Sequence, residues 1–226
     1  MSVMIKRIYG GDFMKRILVL AMVMIISIGT CLSSVVYADL RWGYTDLSEK
    51  HWAYEYISTA TFIGIMNGYP DKTFRPDQQV TLGEYLKMLS CVFTGGAKLR
   101  EPTADEHWAV PYAENFKLVL FMNVNFTPED YDSVICRGLM AKYTATVNAS
   151  IRAKEDRINS SDYSSLNSMK DSKSIPEEYR VGVDYCIKAG IINGFEDGTF
   201  RYDEGLTRAQ AAKVILLAKE NLDTGI

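Results

Sequence analysis

The run Thr207-Arg208-Ala209-Gln210 places an arginine in the first turn of a helix, the helix being marked by the apolar set Ala211, Ala212, Ile215 and Leu216. That position is electrostatically unusual, because a helix N-terminus carries partial positive charge and favours acids. The flanking residues explain themselves: Thr-x-x-Gln, like Thr81-Leu82-Gly83-Glu84, fits a capping box in which hydroxyl and carboxyl or amide satisfy two orphan backbone amides. Arg208 has no part in the cap. Either it lies along the surface or pairs with Asp203 or Glu204, or it forms an anion site with the free amides of the helix start, able to hold a carboxylate bidentately. The chemistry this points to is recognition of an acidic ligand.

Other chemistry finds less support. His51 and His107 each stand directly before a tryptophan, which suits a shared role ahead of a helix better than catalysis. There is no Gly-x-Ser-x-Gly, His-Glu-x-x-His or Cys-x-x-Cys, so the expectation is a protein that is not an enzyme and uses no cofactor. The pair of carboxylates that glycoside hydrolysis needs is available in any such chain, and a hydrolysis assay is the check. The acidic run "FEDGTFRYDE" lacks calcium-loop spacing, and Asp197-Gly198 is a sufficient turn signal, so no metal site is expected. Trp52 and Trp108 either stack on sugar rings or anchor helix packing; the packing role is expected, while Trp42 has no counterpart.

The elements that position Arg208 emerge from comparing the chain with itself. "GIMNGYPDKTFRPDQQVTLGEYLKML" from Gly64 returns as "GIINGFEDGTFRYDEGLTRAQAAKVI" from Gly190, an ungapped offset of 126 that pairs Gly68 with Gly194, Phe74 with Phe200 and Thr81 with Thr207. A fainter middle copy pairs His51-Trp52 with His107-Trp108 at offset 56, and Thr81-Leu82-Gly83 with Cys136-Arg137-Gly138 at offset 55. Each copy reads as helix, turn-rich connector, helix. Ala53, Tyr56, Ile57 and Ala60 stripe one first helix, and Ala109, Tyr112, Ala113 and Phe116 another. Leu82, Tyr85, Leu86 and Leu89 stripe a second helix. Gly64 and Gly190 close the first helices, and Asn67-Gly68 and Asn193-Gly194 tolerate positive φ where the chain turns. One such helix pair cannot bury its own stripe, so the copies are expected to share one core.

The chain has 226 residues, 47% hydrophobic and 23% charged, ample for that core. Residues 1–38 read as a cleaved secretory signal: Lys6, Arg7, Lys15 and Arg16 precede the apolar run 17–28, with Val36-Tyr37-Ala38 at the cleavage position and Met14 as an alternative start. A retained anchor is disfavoured because that run falls short of the roughly 20 residues that cross a bilayer, and a lipoprotein at Cys31 because Thr30 precedes it. Without residues 1–38, 21 Lys+Arg face 27 Asp+Glu, a net charge of −6, which excludes nucleic acid as the expected partner. Cys91, Cys136 and Cys186 then remain, an odd number read as buried free thiols, with one bridge plus one thiol as the alternative. The polar stretch 148–174 reads as the end of the middle copy's helix, through Ile151, followed by a linker.

"HWAYEYI", "GIMNGYPDKTFRP" and "GLTRAQAAKVI" resemble the S-layer homology domain, whose repeats of about 55 residues occur in threes in exported bacterial proteins. The resemblance implies an all-α fold, three helix-loop-helix repeats sharing a central three-helix bundle in a three-pronged spindle. The boundaries that follow are repeat one at 39–97, repeat two at 98–158 with its polar linker to 174, and repeat three at 159–226. It implies non-covalent attachment at the cell surface to a peptidoglycan-linked secondary wall polymer, often through a pyruvate ketal. The family reads that carboxylate with the arginine of a Thr-Arg-Ala-Glu motif, in grooves between repeats. Carried over residue by residue, the binding set is Arg208 and Thr207 with Asp171 and Gly194, then Arg137, Asp46, Gly68 and Thr81. Gln210 replaces the acid of the motif, Leu82 replaces the arginine in copy one, and "MNVNFTPEDYDSVI" replaces the middle connector, so Arg137 is expected in a misshapen pocket. The other function in view is a surface scaffold or protein-interaction module that has lost the polymer, with other surface proteins as partners.

Overall fold

The computed structural model describes residues 43–94, 99–120, 124–151 and 163–224. The expected signal at 1–38, Trp42 and part of the linker, 152–162, lie outside the described residues. No described helix is long and apolar enough to cross a membrane.

The apolar stripes form helices where the spacing places them. The α-helices are α1 Tyr54–Phe62, α2 Leu82–Thr94, α3 Val110–Leu120, α4 Pro128–Asp132, α5 Arg137–Ile151, α6 Glu177–Lys188 and α7 Arg208–Thr224, with 3₁₀ turns at Leu166–Ser168 and Ser172–Ser174. Among the described residues there is no strand beyond isolated bridges, so the fold is all-α. Ala53, Ile57 and Ala60 of the first stripe are fully buried, as are Tyr85 and Leu86 of the second. The short α4 was not anticipated; it carries its own capping box, Thr127 with Asp130, inside the stretch read as replacing the middle connector. Residues 163–174 are likewise more than linker: Leu166 is fully buried, and the amides of Ser165 and Leu166 donate to Asp184 Oδ1 at 2.9 Å.

Helices α2, α5 and α7 each contact the other two, and onto them pack α3, α6 and α1 respectively. Where these three helices begin, the backbone closes on itself. Val80 N–H donates to Leu206 O at 2.8 Å, Leu206 N–H to Ile135 O at 3.2 Å and Ile135 N–H to Val80 O at 3.0 Å. Each of these residues is buried and immediately precedes Thr81, Cys136 or Thr207. Buried backbone groups must find partners, and here each residue gives one bond and receives one, so the ring satisfies all three. A small residue allows the helix approach next to it: a Cβ on Gly83 would lie 2.9 Å from Ala109 Cβ and 3.1 Å from Tyr131 O.

The three thiols are free, but only Cys186 is fully buried, where burial pushes its thiol well above the ordinary range; Cys91 and Cys136 are half-buried. His51 and His107 hold the positions expected of helix-start residues. Their Nδ1 atoms accept from the amides of Ala53 at 3.1 Å and Ala109 at 3.2 Å, which places the ring proton on Nε2.

Candidate functional site

The two connectors that share the 126-residue offset fold alike. In each, an Asx turn sets the tip: the amide and hydroxyl of Thr73 bond Asp71 Oδ1, as those of Thr199 bond Asp197 Oδ1. Arg75 and Arg201 follow at φ 60° and 57°, with guanidinium groups 3.0 and 2.8 Å from the same aspartates. Lys72 has φ 63° where the other connector has Gly198 at 83°, so the left-handed positions are these and not Asn67-Gly68. Gly68 is needed for space instead, since a Cβ there would lie 2.8 Å from Thr73 O and collide with the Tyr44 ring.

Asp46 and Asp171, expected at the ligand, are turned inward to the connectors. Asp46 accepts from the amides of Phe74 and Arg75, both at 2.7 Å, and Asp171 from Phe200 at 2.8 Å and Arg201 at 2.7 Å. Both carboxylate oxygens of each are therefore engaged in holding the left-handed arginine in place. Thr81 and Thr207 are engaged too: Glu84 N–H and Gln210 N–H donate to their hydroxyls, and their own amides donate to Glu84 Oε2 and Gln210 Oε1, closing both capping boxes.

Arg208 is buried, at 5% exposure, and it crosses to another part of the chain. Its Nε donates to Phe74 O at 2.9 Å and its Nη2 to Asn67 O at 2.8 Å, while the guanidinium lies 4.6 Å from the Phe74 ring centre and 5.0 Å from Tyr69. It pairs with neither Asp203 nor Glu204; the acid it meets is Glu84, with Oε1 3.8 Å from Nη1. The helix-start amides are not free either. Arg208 N–H donates to Gln78 O and Ala209 N–H to Pro76 O, so the connector's carbonyls complete the helix start and offset its dipole. Any anion binding here rests on the side chain.

Arg137 repeats this geometry in the other connector. Its Nε donates to Phe200 O at 2.9 Å and its Nη2 to Asn193 O at 3.3 Å, with Phe195 and Phe200 ring centres 4.6 and 4.8 Å away. The misshapen pocket expected for Arg137 is corrected by this pairing: the connector around Arg137 is the one at 193–201, not the stretch that precedes its own helix. Gly194 thus belongs with Arg137, and Gly68 with Arg208. Burial pushes the Arg137 guanidinium down to about 10, with Glu204 acting in the opposite sense, and it stays charged near neutrality. The replaced middle connector faces Leu82 instead, whose amide donates to Ser133 O at 2.9 Å.

A cavity of about 320 Å³ opens beside Arg208, lined by residues 67–69 of the connector, Glu84 and Lys87 of α2, and Trp108 ahead of α3. Trp52 and Trp108 are 57% and 40% exposed, so neither is the buried packing anchor expected of it. Residues missed in the sequence are Tyr69, Phe74, Phe195 and Phe200, the rings that cage the cations, and Glu84 as an arginine partner. The shared offset marked the rings as equivalent. Nothing in it marked them as partners of distant arginines.

Two segments of the chain, residues 43–86 and 168–212, match the S-layer homology domain. The stretch between them, 87–167, falls outside both matches. Among individual proteins, the chain is similar to Cell surface glycoprotein 1 of Acetivibrio thermocellus, 29% identical over 106 residues, 39% of this chain and 5% of that protein. It is also similar to the Cellulosome-anchoring protein of that organism, 33% identical over 79 residues, 31% of this chain and 18% of that protein. The chain thus spans a small part of either relative's length.

Proposed function

We propose that this protein is a non-catalytic, exported module that attaches to the bacterial cell wall by binding a carboxylate-bearing secondary wall polymer in grooves between three quasi-equivalent helix-loop-helix segments. The observation that carries the reading is the paired cage. Arg137 and Arg208 leave equivalent helix starts and enter equivalent connectors, each fixed by two carbonyls and two rings, one of them beside an open cavity with a tryptophan at its wall. A stability role alone does not require a cation there, since an apolar residue, as Leu82 is at the third such position, fills the space without the cost of burying charge. A fixed guanidinium and an exposed indole together suit a saccharide carrying an acidic group, and the pyruvate ketal implied by the family resemblance is one such group. The two relatives are named for a cell surface and for cellulosome anchoring, which agrees with a wall-binding role for the shared segments.

One arginine–carboxylate contact contributes about 1.5–3 kcal/mol, so sugar contacts must supply the rest of a useful affinity. The net charge of −6 expected without residues 1–38 offers no long-range attraction to an anionic wall, which again places recognition in local geometry. The test is co-sedimentation of the purified protein with Acetivibrio thermocellus walls, as isolated and after the secondary polymer is stripped by acid. Pelleting that requires the polymer and falls in the Arg137→Ala/Arg208→Ala double variant is the expected outcome. Equal pelleting in all conditions turns the reading to a surface scaffold.

A further inference from the structure

Each buried arginine is caged by two rings, and the two rings are held differently. Phe74 and Phe200 are fully buried, so core packing fixes them. Tyr69 and Phe195 are only half-buried, and what covers them is a second arginine from their own connector. Arg75 lies 3.8 Å from the Tyr69 ring centre, and Arg201 lies 4.0 Å from that of Phe195. The inner guanidinium groups approach the same two rings, Arg208 at 5.0 Å and Arg137 at 4.6 Å. In both connectors one ring therefore serves two cations.

Like charges this close oppose each other. Burial chiefly lowers the Arg137 guanidinium, Glu204 acts against that, and the Arg201 charge adds to it. The outer cation is offset at the connector tip, where Asp71 is 3.0 Å from Arg75 and Asp197 is 2.8 Å from Arg201. The hydroxyls of Thr73 and Thr199 accept from the same arginines' Nε atoms at 3.2 and 3.0 Å. Each outer guanidinium is thus anchored over its ring.

The backbone bears a cost for this arrangement, since Arg75 and Arg201 have φ of 60° and 57°, where glycine is the unstrained residue. The other left-handed position of the connectors is Lys72 in one and Gly198 in the other, so no particular side chain is required there. The position that covers the ring carries arginine in both. Tyr69 and Arg208 line the cavity and Arg75 does not, so Arg75 acts through the ring and not on an occupant.

Resting on the anchoring function proposed above, we infer that Arg75 and Arg201 are positioning residues: each clamps a half-buried ring against the buried guanidinium and keeps Arg208 or Arg137 in its binding geometry. The two clamps are built differently. The Tyr69 hydroxyl also accepts from Gln78 Nε2 at 2.9 Å, a tether that Phe195 lacks. Arg201 has instead a second acid, Glu204, at 3.4 Å. The Phe195 clamp therefore depends more on its arginine.

Glycine is the informative replacement, because it keeps the left-handed backbone without strain and removes only the side chain. The direct readout is exchange of the arginine Nε–H protons with water, followed by NMR on isotope-labelled protein, since these protons bond Phe200 O and Phe74 O. In Arg201→Gly the Arg137 proton is expected to exchange about fivefold faster with that of Arg208 unchanged, and in Arg75→Gly the Arg208 proton about twofold faster. On native Acetivibrio thermocellus walls the Arg75→Gly/Arg201→Gly double variant should need a wall concentration about threefold higher for half-saturation, with its melting temperature within about 3 °C of wild type. Arg75→Lys/Arg201→Lys should recover part of that loss, because a cation again covers each ring. If the Arg201→Gly chain does not fold, Phe195→Leu carries the test, with faster exchange of the Arg137 proton expected.

The inference is overturned if the Arg137 proton in Arg201→Gly exchanges as in wild type, or if both arginines quicken together, which marks general loosening. Wild-type wall binding by the glycine double variant overturns it as well. The exchange measurement involves no wall, so it stands or falls apart from the anchoring function; wild-type pelleting that ignores polymer stripping removes that function alone.

Discussion

Truncating Asp171 to alanine removes two hydrogen bonds to a charged acceptor, from Phe200 N–H at 2.8 Å and Arg201 N–H at 2.7 Å. Bonds of this kind contribute about 1.5–3 kcal/mol each. Asp171 is half-buried, so water reaches part of the vacated space, and a net loss of about 2–4 kcal/mol follows, a large share of a domain's usual stability. Arg201 adds to the effect because its φ of 57° is held partly by that bond. For a chain of this size the melting temperature should fall by roughly 5–15 °C. Asp171→Asn keeps one acceptor oxygen and should lose about half as much. The functional signature is selective: the connector 193–201 forms the Arg137 cage through Asn193 O and Phe200 O, so wall binding should drop as in Arg137→Ala. Asp46→Ala should instead loosen the connector around Arg208. Thermal melts by circular dichroism and wall titrations measure both. A melting temperature within about 1 °C of wild type would mean that water serves the two amides as well as the carboxylate does, and the account of the connector would be wrong.

Two further outcomes are expected. Gly83→Ala forces a Cβ to within 2.9 Å of Ala109 Cβ and 3.1 Å of Tyr131 O, so α3 must shift; a loss of about 1–3 kcal/mol in urea unfolding is expected, and an unchanged midpoint refutes the tight contact. The Asp71 carboxyl is held down to about 2 by the Thr73 hydroxyl and amide and by Arg75, below the ordinary value near 3.9. Because the folded-state value is depressed, its contribution to the connector is complete above about pH 4 and is lost as the pH falls through about 2. A carboxyl NMR titration of Asp71 with its midpoint near 4 would contradict that.

The sequence by itself determined the local structure. The stripes at helical spacing became helices, Thr81/Glu84 and Thr207/Gln210 became closed capping boxes, and the 126-residue offset became two connectors with the same turn and the same left-handed arginine. These features depend on residues within a few positions of one another, so their signals survive in a linear reading. The short α4 escaped that reading because tertiary packing of Tyr131 and a single capping box stabilise five residues that carry little periodicity.

Only the tertiary structure decided the composition of the site. Arg208 was grouped in the sequence with Asp171 and Gly194, its neighbours in one copy, yet it is caged by residues 67–74, more than 130 positions earlier. The same displacement pairs Arg137 with the connector at 193–201 and leaves Leu82 facing Ser133. The physical reason is the hydrogen-bonded ring of Val80, Ile135 and Leu206, which sets each helix start against the next connector. A ring closed among three distant backbones depends on no side-chain identity, so no residue pattern announces which arginine meets which loop.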